Sequence, residues 1–196
     1  VTSNSGIEKN GDFEVIRTRV GSPYVIAGME KAIAEGKDGV MGFEANGGLL
    51  TASPFRPAGD TIAPLPTRDC FLPILSALYL AHRDGRKLSE LAKAYSLPVA
   101  DADRIKNFEQ ARSTALMNYL RESDANLADF LAPIGSVADK SDIDGLRVTL
   151  DDGRIIHFRP SGNAPEMRCY VEAASAGEAG ELLKQGLALI EGFNAR

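Results

Sequence analysis

No apolar run in the sequence reaches the roughly 18 residues that a membrane-spanning helix needs. The chain opens Val1-Thr2-Ser3-Asn4 without Met, a basic stretch or an apolar leader core, so no signal peptide is expected. Cysteines are scarce: Cys70 and Cys169 lie far apart, with no CxxC and no His in ligand spacing. Buried thiols and a reduced, cytoplasmic setting are expected rather than a bridge or a metal site. Positive charge is also short, with 22 Lys and Arg against 27 Asp and Glu and a formal net charge of -5. That balance speaks against non-specific nucleic-acid binding, while leaving room for a local basic pocket. No catalytic triad, metal-ligand cluster, Walker or Rossmann glycine pattern, internal repeat or low-complexity segment is present. What remains is a soluble globular composition, 44% hydrophobic and 25% charged, long enough for one or two domains. A start without Met, directly in strand-like sequence, leads us to expect a piece of a longer protein.

The most informative stretch runs from His157 to Glu172. Period-two apolar residues flank a segment built from Pro, Ser, Gly and Asn, which reads as strand, tight loop and strand. Arg159 offers a planar fork of donors, Ser161 a hydroxyl and Asn163 an amide, and Gly162 lets successive N–H groups turn toward one place. Such donors, with no general base beside them, describe a pocket for an anion, most naturally a phosphate. The alternative is an ordinary surface hairpin with a solvated Arg. His157 alternates with Phe158 and is expected to point away from the core.

Nearer the start, Phe13–Val20 reads as a strand and Tyr24–Glu35 as a helix whose face holds Val25, Ile26, Met29, Ala32 and Ile33. Ser22 is the expected N-cap, Pro23 the first helical residue and Gly36 the stop. Thr18, Arg19 and Gly21 then stand at a strand-to-helix junction, where ligands collect in open α/β sheets. In Gly39–Thr51 two apolar runs flank a glycine-rich loop carrying Glu44 and Asn46, two groups able to accept from vicinal sugar hydroxyls. Glu44 could equally act as a general acid or base, and a plain hairpin turn is the other reading. Pro54–Pro66 is expected to be a surface loop, Cys70–His82 a helix capped by Asp69, and Leu88–Tyr95 a short helix. His82 reads as a solvated residue at a helix end.

Leu97–Asp103 breaks the helical pattern and is expected to be a linker. A helix Phe108–Arg121 follows, with Asn107 and Gln110 in capping-box spacing. Leu146–Leu150 and Ile156–Phe158 flank Asp151-Asp152-Gly153. A three-residue loop with Gly153 left-handed puts Leu146 against Phe158 and Val148 against Ile156, on one face. Met167–Ala173 is a third strand, and Ser175 with Glu178 caps a last helix. The expected fold is an α/β partial domain with a mixed sheet and helices, followed by a small α+β domain. In the latter an antiparallel sheet carries flanking helices on its apolar face and leaves the other face open.

Three motifs, Thr18-Arg19-Val20-Gly21, Gly42-Phe43-Glu44-Ala45-Asn46-Gly47-Gly48 and Arg159-Pro160-Ser161-Gly162-Asn163-Ala164-Pro165-Glu166, occur in the order and spacing of the alpha-D-phosphohexomutases. The chain resembles the carboxyl-terminal half of that phosphomannomutase and phosphoglucomutase family. The likeness implies that residues 1–97 are the latter part of a sugar-selecting third domain and residues 98–196 a phosphate-binding fourth domain. It implies an isomerase that moves a phosphoryl group between C1 and C6 of a hexose phosphate, through a phosphoserine and a hexose 1,6-bisphosphate intermediate. Arg19 would face the reacting end of the substrate with Ser22 nearby, Glu44 and Asn46 would hold sugar hydroxyls, and Arg159, Ser161, Gly162 and Asn163 would grip the phosphate that is not being transferred. Asn46 stands where Ser is usual, Gly48 where many members have His, Asn163 where Thr is usual, and Asp69-Cys70 where Asp-Gly is common.

Partners implied by the likeness are a hexose phosphate and missing amino-terminal domains of the same protein, with no nucleic acid and no membrane. Mg2+ would serve the full-length parent through ligands absent from this chain, hexose 1,6-bisphosphate would be an activator, and the piece alone would need no cofactor and be inactive. Neither an Asp-x-Asp-x-Asp loop nor a serine in a nucleophile context is present. A different class of reading is a non-catalytic phosphosugar-binding module that keeps only the clamp. A third is an acid–base hydrolase pairing Glu44 with Asp69, which needs both carboxylates in one cleft.

Overall fold

In the computed structural model, which describes residues 1–9, 11–56 and 59–193, the chain divides into two units, Val1–Leu97 and Pro98–Arg196. The first holds α1 (Gly6–Lys9), α2 (Ser22–Ala34), β1 (Met41–Phe43), β2 (Leu49–Thr51), β3 (Leu65–Asp69), α3 (Phe71–Arg83) and α4 (Leu88–Lys93). Its sheet is antiparallel in the order β1-β2-β3. The helical spacing after Gly21 turns Val25 and Met29 of α2 onto Leu50 of β2, a small apolar cluster. Gly36, at φ 81°, ends α2 as expected: its N–H donates to Ile33 O at 2.9 Å and that of Lys37 to Ala32 O at 3.0 Å, satisfying carbonyls that the helix leaves open.

Several expectations for this unit change. The N-cap is Gly21, at φ 127°, and Ser22 already lies inside α2, which frees its hydroxyl from capping. Phe13–Val20 is not a strand. Its Thr18 carbonyl accepts from Val1 N at 3.0 Å, and its Arg17 side chain donates to Val1 O and Ser3 O. The loop expected over Pro54–Pro66 carries a Phe55–Ile62 bridge and yields to β3 at Leu65; Pro57 and Ala58 lie outside the described residues. Cys70, expected to be buried, is exposed and occupies the N-cap of α3. Asp69, one residue earlier, accepts from Phe71 N–H at 2.8 Å.

The second unit comprises β4 (Val99–Lys106), α5 (Gln110–Glu122), α6 (Asp124–Leu131), β5 (Val137–Ser141), β6 (Leu146–Leu150), β7 (Ile155–Pro160), β8 (Glu166–Ala173) and α7 (Ala176–Gly192). Its five strands form an antiparallel sheet in the order β4-β8-β7-β6-β5. The hairpin register is the expected one, Leu146 opposite Phe158 and Val148 opposite Ile156, and Gly153 sits at φ 84°. Leu146, Val148, Leu150, Ile156, Phe158, Met167, Cys169 and Val171 therefore share one sheet face. They pack with Leu116 and Leu120 of α5, Leu127 and Leu131 of α6, and Leu182 and Ile190 of α7. Each large apolar side chain fully buried this way contributes about 1.5–3 kcal/mol. Ser175 caps α7, its hydroxyl accepting from Glu178 N–H at 3.3 Å.

Three expectations for this unit are corrected. Leu97–Asp103 is not a linker beyond Pro98: β4 pairs with β8 over its whole length, from Val99 opposite Ala173 to Lys106 opposite Glu166. Its Ala and Asp residues carry no strand propensity, but an exposed edge strand favours charged side chains and the ladder supplies the stability. Asn107 caps nothing. It takes φ 56°, Phe108 N–H donates to Pro165 O at 2.8 Å, and α5 begins at Gln110 with Glu109 as N-cap. His157 is buried, 2% exposed, because a turn between β5 and β6 covers the face expected to be open.

Candidate functional site

Each unit carries one group of the expected site residues. In the second unit Arg159 is the penultimate residue of β7, and Ser161–Pro165 connects β7 to β8. The connection is closed by backbone bonds, Ser161 N–H to Glu166 O at 2.9 Å and Glu166 N–H to Ala164 O at 2.8 Å. Asn163 N–H approaches Ser161 Oγ at 3.5 Å, so hydroxyl and amide residue are neighbours on one small arch. Gly162 does not take a positive φ. A Cβ there would meet nothing within 4 Å, so what Gly162 provides is open space over the arch.

Strand register adds what the sequence did not reveal. Arg159 of β7 lies opposite Arg168 of β8, and Arg168 lies opposite Arg104 of β4. Directly opposed residues project from the same face, so three guanidiniums form a row at the base of the arch. Like charges in opposed positions repel. Two carboxylates answer them: Glu166 lies 3.1 Å from Arg104 Nε and 3.6 Å from Arg168 Nη2, and Asp144 lies 2.9 Å from Arg159 Nε. Three cations against two anions leave a local positive excess in an acidic chain. Arg168 Nε is buried with no hydrogen-bond partner among the described residues. A hydrogen bond that the Arg168 guanidinium donates to the Tyr170 oxygen is the main cause holding the Arg168 pKa above its ordinary value; burial opposes it, and the nearby charge of Glu166 adds to it.

Asp144 belongs to the turn between β5 and β6. Its carbonyl is 2.7 Å from His157 Nε2, and since a carbonyl only accepts, the imidazole carries its proton on that nitrogen. His157 Nδ1 is buried and has no partner among the described residues. Burial pushes the His157 pKa down from 6.5 to about 4, against the opposing pull of the Asp144 backbone bond. The ring is therefore neutral at neutral pH and does not add to the arginine row.

In the first unit Ser22 Oγ donates to Glu44 Oε2 at 2.9 Å, joining two of the expected residues from α2 and the β1–β2 loop. Arg68 of β3, not anticipated, brings its Nε to 3.7 Å from the same oxygen. Its stem also fills the space before Gly48, whose added Cβ would lie 3.0 Å from Arg68 Cγ. Asn46 Oδ1 accepts from Gly48 N–H at 3.0 Å, so its oxygen shapes the turn and is not simply open to a hydroxyl. Arg19 is exposed, with its guanidinium 5.8 Å from the Tyr24 ring centroid. Asp69, expected to pair with Glu44, accepts through Oδ1 from Phe71 N–H at the start of α3, while Glu44 is paired with Ser22 and Arg68. A cleft of about 380 Å3 in this unit is lined by Phe13, Val15, Ile16, Val25, Met29 and Val40 among others and by none of Arg19, Ser22, Glu44 or Asn46.

Among the described residues no group of three or more His, Cys, Asp or Glu side chains is placed to share a metal ion. Cys169, its pKa pushed up by burial to about 12, is a protonated core thiol and no nucleophile. No helix among the described residues is long and apolar enough to cross a membrane.

Comparison with known proteins agrees with the layout in both units. Residues 1–97 match the family model described as phosphoglucomutase/phosphomannomutase, alpha/beta/alpha domain III, and residues 83–188 that of the phosphoglucomutase/phosphomannomutase C-terminal domain. A phosphomannomutase of Sinorhizobium fredii is 53% identical over 190 residues, covering 97% of this chain and 40% of that protein. A phosphomannomutase of Salmonella muenchen is 38% identical over 196 residues, with 97% and 40% covered. A phosphoglucosamine mutase of Methanocaldococcus jannaschii is 28% identical over 183 residues, with 93% and 35% covered. The chain thus spans about two fifths of the length of the curated relatives it matches.

Proposed function

We propose that this chain, which belongs to the phosphoglucomutase/phosphomannomutase family, is the sugar- and phosphate-binding portion of an isomerase that moves a phosphoryl group between C1 and C6 of a hexose phosphate. The observation that carries the reading is the row of Arg104, Arg168 and Arg159 in register beneath the Ser161–Pro165 arch. A repulsive row of cations is costly to maintain in a fold that does not use it, and a phosphate would offset it by bidentate, charge-assisted bonds.

On this reading Arg159, Ser161, the Gly162 N–H and Asn163 bind the phosphate that is not being transferred. Glu44, held by Ser22, and Asn46 orient sugar hydroxyls, and Arg19 faces the reacting end. The work of these residues is positioning and charge stabilisation. The phosphoserine that exchanges phosphoryl groups with a hexose 1,6-bisphosphate, and the magnesium that would neutralise charge during that exchange, belong to the remainder of a longer protein. Because two relatives bear the name phosphomannomutase, mannose 6-phosphate is the first ligand to try. Titration of the isotope-labelled chain with mannose 6-phosphate should move the amide resonances of residues 159–166. Mannose alone should not. Equal shifts with both sugars, or none with either, would defeat the proposal.

A further inference from the structure

We propose that Asp144 is a positioning residue of the phosphate clamp, fixing the Arg159 guanidinium for its ligand, and that the buried imidazole of His157 in turn fixes Asp144. The inference rests on the reading of residues 159–163 as an anion clamp.

The turn holding Asp144 is tied down at several points by the protein's own groups. His157 Nε2–H donates to Asp144 O at 2.7 Å. Gly145, at φ 79°, lies so close to β7 that an added Cβ would stand 2.4 Å from Phe158 O and 3.0 Å from Arg159 Cβ. From α5, Arg121 Nε lies 2.9 Å from both carboxylate oxygens of Asp142, and its Nη2 donates to Gly145 O at 3.4 Å. A turn anchored to this degree presents the Asp144 carboxylate in one place. That carboxylate takes the Nε of Arg159 at 2.9 Å, with the two side chains only 16% and 19% exposed.

Contact at Nε fixes the orientation of the planar guanidinium. A free Arg loses about 2 kcal/mol of rotamer freedom when a ligand immobilises it; one already held loses less. Opposing this gain, the negative charge of Asp144 weakens the attraction of Arg159 for an anion. The two effects have opposite signs on removal of Asp144, which makes the inference testable. If orientation dominates, Asp144→Ala weakens phosphate binding although it removes a negative charge. If charge dominates, Asp144→Ala strengthens it.

Binding of inorganic phosphate and of mannose 6-phosphate by the wild-type chain, Asp144→Ala and Asp144→Asn should be measured by calorimetry, with the Arg159 Nε–H resonance followed in parallel. Asp144→Ala should bind about tenfold more weakly, the equivalent of 1.4 kcal/mol, and lose the solvent-protected Nε–H signal. Asp144→Asn, which keeps an oxygen acceptor for Nε, should remain within about threefold of wild type and keep the signal. His157→Gln should reduce Nε–H protection without touching the ligand; if it unfolds, the two Asp144 variants still decide the matter. Binding by Asp144→Ala as tight as or tighter than wild type overturns the positioning role while leaving the clamp intact. A wild type that binds neither ligand overturns the clamp and with it this role.

Discussion

The imidazole of His157 is stacked on the ring of Tyr170, their centroids 5.4 Å apart and their planes inclined by 28°. Sealed there and bonded to Asp144 O, it is held neutral by burial, its pKa lowered from 6.5 to about 4. The unfolded chain therefore binds one more proton than the folded chain between those values, and stability rises with pH across that window. The His157 contribution should be complete above pH 6.5 and fall away as the pH drops toward 4, by up to roughly 3 kcal/mol. Hydrogen-exchange protection of β7 and β8 amides, measured from pH 7 to 4, should decline in wild type and much less in His157→Gln relative to its own value at pH 7. Parallel curves for the two proteins would assign the acid sensitivity to other groups.

The Arg159 series separates charge from shape. Arg159→Lys keeps the charge and loses the fork, so binding of mannose 6-phosphate should weaken if the contact is bidentate. Arg159→Ala should cost about 10- to 150-fold in affinity, the equivalent of 1.5–3 kcal/mol. Asn163→Ala should cost less, since water replaces a neutral donor more readily. Because Arg159 is held by Asp144 in a partly buried pair, Arg159→Ala should also lower the stability of the second unit, unlike Asn163→Ala. Calorimetric titration and denaturation of the same samples check both halves. An Arg159→Lys variant that binds as wild type would exclude a bidentate grip.

Local signals made much of this legible. The Gly153 turn sets the β6–β7 register by itself, because shifting it would split Val148 and Phe158 between faces. The caps at Gly36 and Ser175 work within one turn of their helices. Legibility fails where a distant segment decides. Alternation correctly puts His157 on the face opposite Phe158, yet its burial depends on the Asp144-Gly145 turn folding over that face, which no period records. Arg168 reads as an ordinary strand residue until register sets it between Arg159 and Arg104. β4 reads as a linker because its Ala and Asp residues favour no strand; only β8 makes it one. In the first unit, Ser22 has the look of an N-cap, but a Gly21 at φ 127° takes that position and the hydroxyl goes to Glu44. Arg68 gave no sign because nothing in its neighbourhood signals a strand running past Gly48.

The chain by itself should not interconvert hexose 1- and 6-phosphates. Phosphoryl transfer needs a donor and strong charge neutralisation at the transferred group, both of which the proposed reading places in the remainder of a longer protein. A coupled assay with magnesium and a catalytic amount of hexose 1,6-bisphosphate should read background. Turnover that copurifies with the chain to homogeneity, and falls in Arg159→Ala, would show that the donor lies within these residues.

Two glycines with nearly the same backbone separate strain from contact. Gly145 and Gly153 have φ 79° and φ 84°, so Ala at either pays the left-handed penalty of about 1–2 kcal/mol. At Gly153 a Cβ would meet nothing within 4 Å, whereas at Gly145 it would lie 2.4 Å from the Phe158 carbonyl oxygen and 2.9 Å from His157 Nε2. The Phe158 backbone belongs to the sheet and cannot step aside cheaply. The Asp144-Gly145 turn must therefore lift, stretching the His157 and Arg159 bonds to Asp144. Gly153→Ala should cost about 1–2 kcal/mol and leave ligand binding unchanged. Gly145→Ala should cost at least about 2 kcal/mol more and expose the Arg159 Nε–H to solvent exchange. Denaturant midpoints of the second unit rank the two, and the Arg159 resonance reports the turn. Equal destabilisation by both substitutions, with Arg159 still protected in Gly145→Ala, would mean that the turn is free to move without disturbing the clamp.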